Sequence, residues 1–171
     1  MSIADLEAAG LTPLAYFEQA LKRLNYAVAY QPPQNNQAEH LLVVAGRDTE
    51  DQKIMARFRF LDLEQTRLEL LFVLPLTPTR SKEQDINQLA TYFNRSVPIG
   101  AFFASSEWGL CYRYQLLGDS GWFSLNLIVN SLQQMLKTSL LCLPYFKDVL
   151  MGEPLPALFQ RLESESEHAP N

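Results

Sequence analysis

The sequence predicts an α+β fold: an antiparallel β-sheet packed by helices, in the order α-β-β-β(-β)-α-β-β-α. Three observations predict it. Strand-like segments follow one another from Tyr26 to Leu74 with turns, not helices, between them. Two more strands stand side by side between Ile99 and Leu117. Helical apolar stripes occur only before, between and after these two groups. Strands that succeed each other without a crossover helix pair as hairpins, and a hairpin is antiparallel.

Each element has its own justification. Thr12 is placed to cap a first helix, and Pro13 suits the first helical position. Leu14, Phe17, Leu21 and Leu24 then fall on one stripe, Glu18 and Lys22 pair one turn apart, and Asn25 is a stop signal. Tyr26 to Gln31 is expected as a short strand, the one by which the first group counts four strands instead of three. A polar loop with Pro32 and Pro33 follows. Leu41 to Ala45 is continuously apolar, which predicts a strand buried on both faces. Lys53 to Leu61 alternates Ile54, Ala56, Phe58 and Phe60 against Met55, Arg57 and Arg59; Arg67 to Leu74 alternates too. A hairpin with Phe60 opposite Leu68 also sets Arg59 opposite Glu69, which matches apolar to apolar and cation to anion.

Pro75 and Pro78 end that strand. Ser81, with Gln84 three residues on, predicts a capped second helix whose stripe is Ile86, Leu89, Ala90 and Phe93. Ile99 to Ser105 and Leu110 to Leu117 are strands joined by a turn at Glu107, Trp108 and Gly109. Gly118 to Gly121 is a loop, and Ser124 caps a long final helix. Its residues Leu140 to Leu150 are apolar on nearly every side, and Pro144 is expected to kink or break it before Gly152. Residues 1–152 form one α+β domain in this reading. Residues 153–171 add a short helix, Leu155 to Leu162, and an acidic flexible tail.

A chain of 171 residues can bury a core without disulfide or metal. Its charged fraction, 19%, is below the usual ~25%, which hints at apolar surface buried between subunits or partners. The net charge of −5 argues against generic nucleic-acid binding and against docking on an anionic membrane. The start of the chain carries Asp5 and Glu7 and lacks a basic leader, and the longest apolar run, Leu140 to Phe146, is too short to span a bilayer. A cytoplasmic protein is expected.

The stretch from Pro75 to Gly152 carries a pattern: a helix with Leu89 and Phe93-Asn94, then Pro98-Ile99-Gly100-Ala101-Phe102, a turn, Cys111-Tyr112-Arg113-Tyr114, and a leucine-rich helix ending at Gly152. In this it resembles the YbjN-like family of bacterial proteins, grouped by fold with the chaperones of type III secretion. The order of elements from Thr12 onward fits the same architecture. The resemblance implies a helix-covered α+β sheet, often a homodimer, with peptide binding as the fold's best-known use.

The residues offer little chemistry. His40 follows Glu39 at a strand start, where neighbours point to opposite faces, and His168 is in the tail. Cys111 and Cys142 are too far apart for a zinc or redox motif. No nucleophile elbow or phosphate loop is present, and Gly118 to Gly121 precedes no P-loop lysine. Glu50 and Asp51, and Asp62 and Glu64, are expected as solvated turn charges. Arg57, Arg59 and Arg67 line one sheet face, either simply solvated beside Glu69 or receiving an acidic segment or anion. Among the aromatics, Phe102 or Phe103 suits the core, and Trp108 suits a contact surface.

The expectation is therefore a non-enzymatic protein- or peptide-binding domain, chaperone-like or adaptor, without cofactor or metal. Its contact surface is expected among Trp108, Tyr112, Tyr114, Arg57, Arg59, Leu140, Leu143 and Phe146. Its partners are expected to be a second copy and an unknown protein or peptide, not nucleic acid or membrane. The alternative is a small-ligand-sensing regulatory domain with an apolar pocket between sheet and helices.

Overall fold

The computed structural model describes residues 10–34, 38–62, 65–118 and 123–167. Its elements run α1 (Pro13–Arg23), β1 (Val28–Gln31), β2 (His40–Arg47), β3 (Lys53–Phe60), β4 (Arg67–Val73), α2 (Glu83–Phe93), β5 (Ala101–Ser105), β6 (Gly109–Leu117), α3 (Leu125–Met151) and α4 (Leu155–Glu167). The chain is α+β, with one six-stranded antiparallel sheet in the order β1-β2-β3-β4-β6-β5. The loop at Gly118 to Gly121 and His168 lie wholly or partly outside the described residues.

Local signals act where expected. Thr12 Oγ1 accepts from the Ala15 N–H at 3.3 Å, and Ser124 Oγ accepts from the Leu127 N–H at 3.2 Å. Asn25 ends the first helix with φ 64°, a left-handed conformation that asparagine tolerates better than most residues. The β3–β4 register has Phe60 opposite Leu68 and Arg59 opposite Glu69. That pairing fixes which side chains face the helices and which do not.

The inner face carries Leu41 and Val43, Ile54, Ala56 and Phe58, Leu68, Leu70 and Phe72, and Tyr112. These form one core with Leu14 and Phe17 of α1, Leu89 and Phe93 of α2, Ile128, Met135 and Phe146 of α3, and Leu158 of α4. Tyr112 stacks on Phe102 at 4.2 Å between ring centroids, and Phe146 stands 5.4 Å from Phe102 and 5.5 Å from Phe93. The Tyr112 hydroxyl donates to the Ile99 carbonyl, so the one polar atom of this ring is satisfied.

Two cations, each in two ion pairs, fasten the outer elements. Lys147 of α3 reaches the buried Asp48 at 3.0 Å and Glu50 at 2.8 Å, tying the β2–β3 turn to the helix. Burial opposes ionisation of Asp48, but the Lys147 ammonium and the Gln52 and Glu50 amides outweigh it and hold the carboxyl below its ordinary pKa. Arg161 of α4 meets Asp148 at 2.6 Å and Glu153 at 3.3 Å.

Several expectations are corrected. β2 is not buried on both faces: Leu41 and Val43 are buried, whereas Leu42 and Val44 are only half-buried, because no described helix lies over their side. Ser81 is not the cap of α2; Lys82 holds that position without a side-chain bond, and Ser81 Oγ lies 3.1 Å from Thr79 Oγ1. Pro144 does not break the long helix, which runs unbroken to Met151. Leu140 and Pro144 both lie on an exposed part of the helix, where water can solvate the Leu140 carbonyl that proline leaves without a donor. The final helix extends through Glu167 into what the sequence presents as tail, and it is docked: Leu155 and Leu158 are buried, and Phe159 stacks on Tyr92.

Candidate functional site

The outer face of the sheet differs in kind from the inner one. Strand alternation sends Lys53, Arg57, Arg59, Arg67 and Arg113 to that side from β3, β4 and β6. Glu69 is the one carboxylate those three strands add to it. A chain of net charge −5 therefore carries a cationic sheet face, which its total charge conceals.

The side chains of this face are held, not splayed. Arg59 Nε donates to Glu69 at 2.7 Å, and Arg57 Nη2 is 4.0 Å from the same carboxylate. The Arg57 guanidinium lies over the Trp108 ring at 4.7 Å, and that of Arg113 over Phe103 at 5.3 Å. Cation–π contacts of this kind are worth roughly 0.5–1 kcal/mol near a surface. Arg57, Leu71 and Arg113 are partners in one row across β3, β4 and β6. Leu71 and Cys111 are buried on this side but stand apart from the main core. Burial pushes the Cys111 thiol up to about 11, so it is an inert packing group at neutral pH.

Charge on the face is not fully compensated. Glu69 serves two arginines, and the buried Arg57 Nε has no hydrogen-bond partner among the described residues. Burial, then the neighbouring Arg59, lower the Arg57 pKa, with Glu69 opposing them. Arg113 has no carboxylate within ion-pair distance among the described residues.

The sheet edges are partly closed by the protein's own side chains. At β5 the Asn94 amide accepts from the Phe102 N–H at 2.7 Å and donates to the Phe102 carbonyl at 2.9 Å, as a neighbouring strand would. Asn87 Oδ1 accepts from the Ala104 N–H at 3.3 Å. At β1 the Tyr30 N–H donates to Glu18 Oε1 at 3.3 Å. A partner strand would have to displace these groups, so edge addition is disfavoured and the open surface is the face.

The expected contact residues thus separate. Arg57, Arg59 and Trp108 come together on the outer face, with Trp108 38% exposed. Tyr112, Leu143 and Phe146 are core residues; their apolar character serves packing and they are removed from the contact surface. Tyr114 is half-buried on the inner face. Leu140 is partly exposed on α3, beside the far more exposed Leu141. Phe102 is core and Phe103 is on the outer face. Arg113 was missed: its alternation with Tyr112 and Tyr114 was legible, but the pairing of β4 with β6 that carries it beside Arg57 was not.

A separate open groove of about 320 Å³ lies between the end of α2 and the middle of α3, with Phe93, Val97, Leu141 and Cys142 among its walls. Glu107 is exposed, and His40 is half-buried with Nδ1 3.4 Å from the Ala38 carbonyl. No described helix is long and apolar enough to cross a membrane. Compared with known proteins, the sequence matches no family model and no curated protein.

Proposed function

We propose that the chain is a non-enzymatic protein- or peptide-binding domain, chaperone-like or adaptor, that works in the cytoplasm. The observation that carries this reading is the outer sheet face, where Arg57 on Trp108 and Arg113 on Phe103 form an array that no described helix covers. Tryptophan and arginine are the residues most often responsible for binding energy at protein interfaces. The resemblance of residues 75–152 to the YbjN-like family points the same way. A homodimer is the expected assembly, with Leu140, Leu141 and Met151 of α3 as its apolar contact.

Site-specific photocrosslinking in cells tests the reading. A benzoyl-phenylalanine at Gln115 of the outer face is expected to trap one or a few defined proteins, and the same group at Gln88 of α2 is not. Trp108→Ala should abolish the Gln115 adducts while leaving the thermal midpoint near that of the parent. Equal labelling from both positions, or none from Gln115, would remove the support for this reading.

A further inference from the structure

We infer that the outer face receives an acidic polypeptide segment, lying over the strands with carboxylates on Arg57 and Arg113. This rests on the binding-domain reading above and adds the chemistry of the partner.

Three observations lead to it. The first is charge: five cations face this side from β3, β4 and β6; Glu69 serves Arg57 and Arg59, Asp62 serves Arg67, and Lys53 and Arg113 have no ion-pair partner among the described residues. An incoming carboxylate supplies the missing countercharge, and arginine presents a planar fork that suits it. The second is an unfilled donor. The buried Arg57 Nε has no acceptor among the described residues, so Glu69 does not satisfy this guanidinium, whose terminal nitrogens are left to seek a further carboxylate. The Trp108 ring, 4.7 Å from the Arg57 Cζ, restrains the guanidinium, which limits the ordering cost of binding. The third is geometry. Arg57 and Arg113 flank Leu71 in one row, so their backbones stand two strand spacings, about 10 Å, apart. Acidic residues at alternate positions of an extended segment are about 7 Å apart, and the long arginine side chains span the difference. The exposed Trp108 and half-buried Phe103 rings, stacked on these arginines over the buried Leu71, give the segment apolar surface beside the charges.

The segment lies on the face instead of extending the sheet, because Asn94, Asn87 and Glu18 occupy edge positions. A polypeptide fits better than nucleic acid. The cations sit among apolar side chains, and the remainder of the chain is more acidic than its −5 total once these five are set apart, which repels a long polyanion.

The test uses the full chain, isotopically labelled, titrated with a short synthetic peptide of glutamates and interspersed leucines. Its controls are the same peptide with glutamine for glutamate and a single-stranded oligonucleotide of equal charge. The expected result is saturable binding that weakens with added salt, with shifts at the Trp108 indole and the outer positions of β3, β4 and β6. The double variant Arg57→Gln, Arg113→Gln should lose at least about tenfold in affinity, and Arg23→Gln should lose none. If the double variant fails to fold, the pair Arg57→Lys and Arg113→Lys carries the test. It keeps the charge but not the fork, and should bind several-fold more weakly. Absence of binding, unchanged affinity of the double variant, or tighter binding of the oligonucleotide at these residues overturns the inference. Equal binding of the glutamine peptide at the same face also overturns it, while leaving the binding-domain reading intact.

Discussion

The two faces of this sheet come from the same strands by alternation, yet they hold together differently. On the inner face Phe58, Phe72, Phe102 and Tyr112 interlock with Phe93 and Phe146, and nearly every atom is out of water. On the outer face Arg57, Arg59, Arg113, Trp108 and Phe103 shield a smaller apolar strip, Leu71 and Cys111, with stacked side chains. The inner face draws its stability from area and close packing. The outer face contributes less stability and retains groups that a partner could complete. Substitutions on the two sides should therefore have effects that differ by several-fold.

The largest effect is expected inside. Phe146→Ala empties the space between Phe93 and Phe102 and should cost about 3–5 kcal/mol in urea denaturation. A loss under about 1 kcal/mol would mean that the inner face is not the principal core. Next comes the turn that brings Trp108 to the outer side. Gly109 has φ 76°, and a Cβ there would stand 2.4 Å from the Leu76 carbonyl oxygen. Backbone strain and overpacking together should make Gly109→Ala cost about 3 kcal/mol, visible as a lowered thermal midpoint.

A third effect depends on pH. Asp62 accepts from the Thr66 hydroxyl and amide and from Arg67, and these bonds bring its carboxyl down to about 2 despite some burial. A carboxyl with a lowered folded-state pKa adds stability above its unfolded value near 3.9 and loses it as pH falls toward 2. Between those limits Asp62→Asn should flatten the acid limb of the stability curve. The smallest effect is expected at the centre of the outer face. Arg57→Met keeps the stem that covers Leu71 and removes a guanidinium whose Nε is unpaired, so stability should change by less than about 0.5 kcal/mol. Strong destabilisation by this change would erase the contrast between the faces.

Features that depend on neighbours in sequence were legible. The β3–β4 register followed from matching Phe60 to Leu68 and Arg59 to Glu69, and the stops and caps at Asn25, Thr12 and Ser124 followed from side-chain chemistry. Features that depend on distant packing were not. Tyr112, Leu143 and Phe146 are apolar in a way that suits a core and an interface equally, and only the assembled helices place them inside. Pro144 disrupts an isolated helix, but the packed α3 on both sides of it outweighs one lost hydrogen bond. The candidate site was half visible: Arg57, Arg59 and Trp108 stood out as residue types, while Arg113 joined them only through the β4–β6 pairing.

The asparagines at β5 also bear on how the chain is assembled. Asn87 belongs to α2, and Asn94 follows its last residue, so the bonds that occupy the β5 edge form only once that helix has docked. Docking of α2 and termination of the sheet are then one event. While α2 is detached, on the ribosome or during a partial opening, β5 is a bare strand end able to recruit another chain. Weakening the seat of α2 should thus raise the rate of aggregation more than the loss of equilibrium stability alone would predict.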